Sequence, residues 1–412
     1  MHVDKPLNIC LISREYPDET GWGGIGKYTY RLAHGLTDLG HNVHILAESL
    51  DKDKAYIENR ISIQRILNKN FFHNKDSLTE FVNRLNYSWC IFKKIEELID
   101  KYHIDIIEGP NFYGEAYAYS LCKKTSLVTR LHTTFSEIIA AYEWRRTTDC
   151  RLSCWIEDAT ILKSDLVTCS TKRHADIVLK SLPAKPKNIK IIPLGVPLPI
   201  LNGRDNAKNE KLSVLFVGRL EKRKGIQTLV KAIPEVLKEI PNIEFNIVGR
   251  DTFLTSEGIF FTGKESDSFK NKLINDIPRE YLTNVNFLGF LEDKKLEEYY
   301  RSCDLFVAPS LYESFGFIYI EAMSYAKPVI GCSVGGVPEV VKNSETGILV
   351  APENPNQLAQ AIIRLLKNKD LREQMGISAR KHVEENFTLE QMVSKTIAAY
   401  HNVCRPSNRI QM

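Results

Sequence analysis

An alternation of short β-branched runs with stretches of helical periodicity constrains this chain more than any other feature of its sequence. Residues 7–13 are predicted as a strand, 27–39 as a helix and 42–47 as a second strand, which makes a βαβ unit. Gly40 follows that helix at the position where a left-handed residue commonly ends one. Four more strands are predicted in this half, at 104–108, 126–131, 165–169 and 189–193.

The alternation stops at a segment rich in proline, glycine and polar residues, PLGVPLPILNGRDNAKNEKL, and then begins again. A helix is predicted there at 226–240, and strands at 213–217, 244–248, 285–288, 305–308, 329–332 and 347–350. The pattern predicts an α/β fold of two Rossmann-like doubly wound domains facing across a cleft. We expect domains at 1–195 and 212–386, a linker at 196–211, and a C-terminal helix at 387–412 that crosses back to the first domain.

Length and composition agree with two cores, because 412 residues exceed one ordinary domain and 43% of them are apolar. The 55 lysines and arginines nearly balance the 51 aspartates and glutamates, so the net charge of +4 argues against a nucleic-acid partner. No run approaches the roughly 18 uncharged apolar residues of a membrane span, and no secretory signal is recognised. We therefore expect a soluble cytoplasmic protein with at most peripheral membrane contact.

Neither a metal nor a cofactor is predicted. Cys150 and Cys154 are spaced for one helix face, but no second pair of cysteines or histidines follows nearby to complete a zinc site. Asp51-Lys52-Asp53 matches the D-x-D pattern of metal-dependent transferases, yet it lies in a polar run rather than at a strand end. The nine cysteines fit a reducing compartment, where we expect free thiols.

A glycine-rich run, Gly21 to Lys27, leads into the first helix. It matches the dinucleotide pattern G-x-G-x-x-G and the P-loop pattern G-x-x-x-x-G-K. Both are discounted, because residues 14–20 separate the run from its strand and Tyr28 stands where a P-loop needs serine or threonine. The run instead predicts a close approach of Gly23 and Gly24 to a phosphate or sugar, with a surface turn as the alternative.

Two cations follow the first strand of the second half, in the segment Gly218 to Gly225. Arg219 offers a planar fork and Lys224 a compact charge, so together they could hold a diphosphate. The alternative is a solvated basic loop, because Glu221, Lys222 and Arg223 share the segment.

Two glutamates follow the strand predicted at 305–308. If a helix begins near Phe317, Glu321 lies about one turn inside it while Glu313 stays in the loop before it, so both could reach one extended ligand. Gly316 and its neighbouring amides would form an anion-facing helix start. Glutamates at such a spacing are usually solvated, and only the joint pattern with Arg219 and Lys224 favours a nucleotide-sugar site.

These motifs resemble those of the retaining glycosyltransferases of family 4, which have two Rossmann-like domains of the GT-B type and include sucrose synthases and bacterial mannosyl- and glucosyltransferases. The resemblance runs through GGIGKY (23–28), GRLEKRKG (218–225), ESFGFIYIEAMSYAKPVIG (313–331) and GGVPEVV (335–341). It implies transfer of a sugar from a nucleotide-diphosphate donor to an acceptor hydroxyl. Ala326 departs from the family, which often has glycine there.

The resemblance also implies roles. Arg219 and Lys224 would hold the donor diphosphate, and Glu321 the ribose hydroxyls. His132, at a predicted strand end, would lie near the transferred sugar, although a lone histidine there is more often structural. The catalytic candidates are Arg219, Lys224, Glu313 and His132. The candidate donor-binding residues are Gly23, Gly24, Ser314, Phe315, Gly316, Phe317 and Glu321.

The mechanism implied is retaining and metal-independent, with the departing diphosphate helping to take the acceptor proton. No pair of carboxylates is evident for a double displacement, so charge stabilisation would supply most of the catalysis. Three alternatives stay open: a nucleotide-sugar epimerase, a glycogen-type phosphorylase, whose cofactor lysine motif is not found, and a non-catalytic sugar-nucleotide sensor. The acceptor is open as well, among a glycan, a small molecule and a lipid-linked sugar.

Overall fold

The computed structural model describes residues 5–21, 23–68, 78–201, 211–255, 258–260 and 268–404. Contacts divide the chain into two compact units, one of residues 1–195 and 389–412 and one of residues 196–388. Most of the predicted linker, 202–210, lies outside the described residues. Among the helices described, none combines the length and the apolar content that crossing a bilayer demands.

The first unit is built on a mostly parallel sheet. Its described strands are β1 (Asn8–Ile12), β2 (Asn42–Ser49), β3 (Lys54–Glu58), β4 (Ile61–Leu67), β5 (Ile106–Pro110), β6 (Ser126–Leu131), β7 (Leu166–Cys169) and β8 (Ile189–Ile191). They lie in the order β3-β4-β2-β1-β5-β6-β7-β8, and only the β3–β4 pair is antiparallel. The helices between them are α1 (Gly24–Asp38), α2 (Thr79–Tyr102), α3 (Tyr117–Leu121), α4 (Phe135–Ala141), α5 (Thr148–Lys163) and α6 (Lys172–Ser181).

The β3–β4 hairpin was not predicted, and it explains the D-x-D sequence. Asp51 Oδ1 lies 2.7 Å from Lys54 Nζ. Asp53 Oδ1 accepts a hydrogen bond of 2.8 Å from the backbone of Leu67. Both carboxylates therefore brace the hairpin. The predicted left-handed end of α1 is confirmed, since Gly40 has φ +87°.

The second unit has a sheet that is parallel throughout. Its described strands are β9 (Leu212–Val217), β10 (Ile243–Val248), β11 (Phe253–Thr255), β12 (Gly258–Phe260), β13 (Val285–Gly289), β14 (Leu305–Ala308), β15 (Val329–Cys332) and β16 (Gly347–Val350). The sheet order is β13-β10-β9-β14-β15-β16, while β11 and β12 form a separate hairpin. Its helices are α7 (Ile226–Glu239), α8 (Phe269–Asn275), α9 (Asp293–Ser302), α10 (Phe317–Ser324), α11 (Val337–Val340), α12 (Pro355–Lys367) and α13 (Lys369–Asn386).

In both sheets the strand order reverses beside the first strand of the unit. β1 has β2 on one side and β5 on the other, and β9 likewise lies between β10 and β14. The loops at the carboxyl ends of two such strands diverge, and the crevice between them is where open α/β sheets bind ligands. We therefore expect ligands to bind at the loops after β1 and β5, and at those after β9 and β14.

The last helix, α14 (Leu389–His401), packs within the first unit against α1. A Cβ at Gly35 would lie 2.5 Å from Val393 Cγ2, so the two helices approach as closely as they do because residue 35 is glycine. Tyr400 donates a 2.9 Å hydrogen bond to Glu108 Oε2, in β5. The helix is therefore fixed both to α1 and to the first sheet.

The backbone conformation at Ala326 explains why family 4 often has glycine at this position. It lies in the turn after α10 with φ +56°, a left-handed conformation in which an L residue is strained and glycine is not. The departure noted in the sequence therefore has a conformational cost.

We predict that Ala326→Gly raises the free energy of unfolding by a few tenths to about 1 kcal/mol, since the relief of strain exceeds the added backbone entropy of the unfolded chain. Ala322→Gly is the matched control inside α10, where the same change should destabilise by about 1 kcal/mol or more. Urea denaturation followed by circular dichroism measures both. A loss of stability at both positions would contradict the account of Ala326.

Candidate functional site

The loops after β9 and β14 bring a lysine and a glutamate into contact. Lys224 ends a 3-10 turn, Lys222–Lys224, and Glu313 lies in the loop before α10. Lys224 Nζ is 2.5 Å from Glu313 Oε1. Ser310, which was not predicted, donates its hydroxyl to the same oxygen at 3.1 Å. The reversal point of the second sheet therefore holds a lysine–glutamate–serine cluster.

This cluster is largely withdrawn from water. The side chains of Lys224 and Glu313 are 16% and 9% exposed. Burial by itself raises the pKa of the Glu313 carboxyl, but Lys224 and then Arg223 outweigh it and hold that pKa below its ordinary value. Glu313 is therefore ionised near neutral pH. Removing one partner of such a pair leaves a buried charge uncompensated, at a cost of about 3–5 kcal/mol.

The side chains of Glu221 and Arg223 are buried. The segment 218–225 is therefore not the solvated basic loop that was considered as the alternative. Arg223 Nη2 donates to Glu221 Oε1 at 2.8 Å, and Arg223 Nη1 lies 4.0 Å from Glu313 Oε2. Arg219, whose side chain is 46% exposed, reaches the same Glu221 oxygen at 3.2 Å. The loop is an ion-pair network that leaves the Arg219 guanidinium partly in solvent.

Two glycines let the loops approach each other. Gly225 has φ +69°, and a Cβ there would overlap the carbonyl oxygen of Pro309. Gly316 has φ +91° and precedes α10, where a Cβ would meet the ring of Tyr319. The helix begins at Phe317, as predicted. Its positive end therefore faces the same crevice as the cluster.

The aromatic residues of the loop serve as anchors. The rings of Phe315 and Phe317 are buried, and Phe315 packs edge-on against Phe387 with centroids 5.6 Å apart. Their predicted contact with a ligand can come only from the backbone. The amides from Ser314 to Phe317 lie at the start of a helix, where an anion is favoured.

Glu321 lies on α10 and is held from α9. Tyr300 donates its hydroxyl to Glu321 Oε2 at 3.3 Å, and the Tyr300 ring stacks on Tyr325 at 5.6 Å. Neither tyrosine was predicted, because nothing in the local pattern connects them with Glu321. The carboxylate therefore has a defined orientation before any ligand arrives.

His132 lies directly after β6 in the first unit. Its backbone N–H donates a 2.6 Å hydrogen bond to Asn111 Oδ1, and Asn111 is itself held by Glu157 at 3.4 Å. Glu157 forms a buried ion pair with Arg84 at 3.0 Å. His132 Nε2 is buried without a hydrogen-bond partner among the described residues. This supporting network was not predicted, since its members are distant in sequence.

The glycine-rich run packs on a glutamate. A Cβ at Gly23 would overlap the Glu15 carboxylate, and one at Gly26 would lie 3.1 Å from the Glu15 carbonyl oxygen. A Cβ at Gly24 would meet nothing within 4 Å. Gly23 is therefore required for packing, whereas Gly24, the first residue of α1, is open to a ligand.

The predicted residues thus fall into two groups. The second unit brings together Lys224 and Glu313, with Arg219 joined to them through Glu221 and Arg223. His132, Gly23 and Gly24 belong to the first unit. Within the described residues no group of three or more histidine, cysteine, aspartate or glutamate side chains is arranged to hold a metal ion.

Comparison with known proteins decides the family. The pattern described as Glycosyltransferase Family 4 matches residues 22–198, and that described as Glycosyl transferases group 1 matches residues 202–382. The chain belongs to glycosyltransferase family 4. An uncharacterized glycosyltransferase of Methanocaldococcus jannaschii is 26% identical over 413 residues, which cover 96% of this chain and 98% of the relative. The N-acetyl-alpha-D-glucosaminyl L-malate synthase of Bacillus anthracis is 26% identical over 409 residues, covering 95% and 96%.

Solved structures share the fold of this family 4 glycosyltransferase. The sucrose-phosphate synthase of Thermosynechococcus elongatus superposes with a TM-score of 0.77 at 22% identity, covering 96% of this chain and 98% of that one. HepE of Anabaena, in complex with UDP and glucose, gives a TM-score of 0.69 at 18% identity, covering 96% and 99%. The predicted fold class, two doubly wound α/β units of the GT-B type, is confirmed.

A buried histidine supports the loop that follows His132 in the glycosyltransferase. His174 Nε2 lies 3.1 Å from Glu137 Oε2, and Glu137 completes a capping box with Thr134 at the start of α4. Burial alone would lower the pKa of His174, but its hydrogen bonds to Cys169 and Glu137 raise it to about 10. The imidazolium therefore pairs with Glu137 at neutral pH.

Because the pKa of His174 is raised in the folded state, its contribution to stability depends on pH. A raised folded-state pKa stabilises fully below the unfolded value of about 6.5, and the contribution is lost as pH rises toward about 10. We predict that His174→Gln destabilises most at pH 6 and progressively less up to pH 10, in urea unfolding at each pH. In the control His44→Gln the effect should vary only below about pH 6.5, because burial lowers the pKa of His44. A pH-independent loss for His174→Gln would show that its role is packing alone.

Proposed function

We propose that this family 4 glycosyltransferase transfers a sugar from a nucleotide-diphosphate sugar to an acceptor hydroxyl, with retention of configuration and without a metal. The observation that carries the proposal is the buried Lys224–Glu313 pair at the reversal point of the second sheet. Arg219 belongs to the same network and is partly exposed. A diphosphate bound there would meet cations that the fold has already fixed in place.

Each group of the proposed donor can be assigned to residues of the second unit. The diphosphate would lie against Arg219, Lys224 and the amides that open α10. The ribose hydroxyls would bind Glu321, whose carboxylate Tyr300 orients. Glu313 would meet the transferred sugar. UDP and glucose are the ligands in the HepE structure, and a nucleotide-diphosphate hexose is the corresponding donor class proposed for this chain.

The chemistry proposed for these residues is charge stabilisation. As the bond from the anomeric carbon to the diphosphate breaks, negative charge grows on the leaving oxygen, and Arg219 and Lys224 stabilise it. The acceptor hydroxyl attacks on the face that the diphosphate leaves, and its proton passes to a leaving-group oxygen. His132 and Gly24 would contact the sugar from the first unit.

We also infer a cytoplasmic location. All nine cysteines are free thiols, and four of them, Cys10, Cys169, Cys303 and Cys332, are buried. Free thiols persist in a reducing compartment. A nucleotide-sugar donor, as proposed above, is consistent with this location.

We predict that turnover survives EDTA, because side-chain cations rather than a metal are proposed to neutralise the diphosphate. Hydrolysis or transfer of a radiolabelled nucleotide sugar, with and without chelator, measures it. Turnover that EDTA abolishes and magnesium or manganese restores would contradict the metal-independent mechanism. Conversion of the donor with no acceptor and no hydrolysis would indicate an epimerase instead.

Substitutions at the proposed site should separate the roles of its residues by their effects on kcat and KM. Arg219→Ala and Lys224→Ala should lower kcat by roughly 10²-fold or more, because these charges matter most as the diphosphate departs. Glu313→Ala should resemble them. Glu321→Ala should chiefly raise the donor KM, by a loss of roughly 1.5–3 kcal/mol of binding.

Lys222→Ala is the matched control, since it removes a cation from the same loop without touching the proposed machinery, and its kcat should stay within about twofold. Circular dichroism must first establish that the Lys224 and Glu313 variants are folded, because each leaves a buried charge unpaired. An unchanged kcat for folded Lys224→Ala, or a lost kcat with intact donor binding for Glu321→Ala, would overturn the assignment of roles.

A further inference from the structure

A small cavity lies in the first unit, between α1 and the carboxyl ends of β5 and β6. Its polar lining residues are Tyr28, Thr29, Glu108, Arg130 and His132, and the rest are apolar side chains and Gly109. The space open to the centre of a water-sized sphere is about 10 Å³, which is room for about one water molecule or one oxygen atom. Two of the lining residues, Ile25 and His132, are partly exposed.

Arg130 is a buried cation with unused donors. Its residue is 1% exposed, and its guanidinium lies over the Tyr28 ring at 4.8 Å from the centroid. Nη2 donates to the backbone oxygen of Ile192 at 2.8 Å. Nε and Nη1 are buried with no hydrogen-bond partner in the described part of the chain. Unpaired buried donors on a charged group are costly, so these positions call for an acceptor.

Glu108 does not supply that acceptor. Its two oxygens take hydrogen bonds from Tyr28 at 2.7 Å and from Tyr400 at 2.9 Å. Across the described residues it forms no ion pair with Arg130. Burial raises the pKa of Glu108, although Arg130 and the two tyrosines oppose this. Glu108 therefore shares the cavity with Arg130 without occupying the two unused guanidinium donors.

His132 adds a second polar group to the same cavity. Its Nε2 is buried without a partner among the described residues. Burial, and after it the charges of Arg130 and His174, lower the pKa of His132 well below its ordinary value. The imidazole is therefore neutral, and can donate a hydrogen bond from one ring nitrogen beside the guanidinium.

We propose that Arg130 and His132 form a subsite that receives one oxygen of a carboxylate or phosphate group on the sugar acceptor. The proposal rests on the proposed function, in which the first unit contacts the reacting sugar and acceptor. A single oxygen fits the space, and an anionic one gains charge-assisted hydrogen bonds from the unused guanidinium donors. A water would satisfy the donors as well, but through neutral rather than charge-assisted acceptors.

Arginine side-chain Nε–Hε signals of the full chain test this directly by NMR. The Arg130 signal is identified by its loss in Arg130→Lys, and sodium acetate and inorganic phosphate are titrated separately at constant ionic strength. We expect a saturable shift of the Arg130 signal with at least one anion. The anion that binds more tightly identifies the acceptor group as carboxylate or phosphate. His132→Gln should raise the half-saturating concentration roughly tenfold. The exposed Arg151 is the matched control and should show no saturable shift.

The proposed subsite would be overturned if neither anion shifted the Arg130 signal while phosphate shifted the Arg219 signal. This outcome is distinct from a failure of the proposed function, which would appear as absent turnover with every nucleotide sugar. If Arg130→Lys does not fold, crystals of the unmodified chain soaked in sodium selenate provide the second measurement. An anomalous selenium peak within hydrogen-bond distance of Arg130 supports the proposal, and an ordered water alone contradicts it.

Discussion

The contact between Lys224 and Glu313 is the interaction on which the rest of the second unit's site depends. It joins loops from two strands on either side of the sheet reversal, and it forms only because those loops approach closely. Gly225 permits this approach against Pro309, and Gly336 donates its N–H to the Glu313 carbonyl oxygen at 2.9 Å. Stability alone does not require charges there, because apolar residues of similar volume would often serve a buried position as well. The charges make sense as a preformed environment for an anion.

The first unit positions His132 by similar means, although it uses different residues. The Arg84–Glu157 ion pair lies beneath the loop, and Glu157 also accepts from the backbone N–H groups of Tyr113 and Phe135. Asn111 then connects this framework to His132. Most of these polar groups are buried and satisfied, so the loop after β6 has few alternative conformations. A neutral histidine in a rigid loop suits hydrogen bonding to a substrate better than charge stabilisation.

Much of the fold could be predicted because strand and helix periods are local properties. All the parallel strands of both sheets except β4 were located by pattern, and the helix start at Phe317 was placed correctly. The β3–β4 hairpin was missed, since Lys54 to Glu58 is a largely exposed edge strand with little apolar signal. Within the site, Arg219, Lys224 and Glu313 carry motif signals. Ser310 and Tyr300 do not, and the burial of Arg223 within its motif could not be predicted, because burial depends on how the loops and helices pack together.

The two helix starts that face the ligand-binding edges show how similar local sequences acquire different electrostatics. Before α10, Glu313 lies near Gly316, but Lys224 and Arg223 compensate its charge. Before α1, the Glu15 carboxylate lies against Gly23, and its Oε2 is buried without a hydrogen-bond partner among the described residues. A phosphate approaching α1 would therefore meet the Glu15 carboxylate, whereas one approaching α10 would meet Glu313 together with Lys224 and Arg223. The glycine-rich run is therefore better suited to sugar hydroxyls, which can donate to a carboxylate, and the loop before α10 is better suited to the proposed diphosphate.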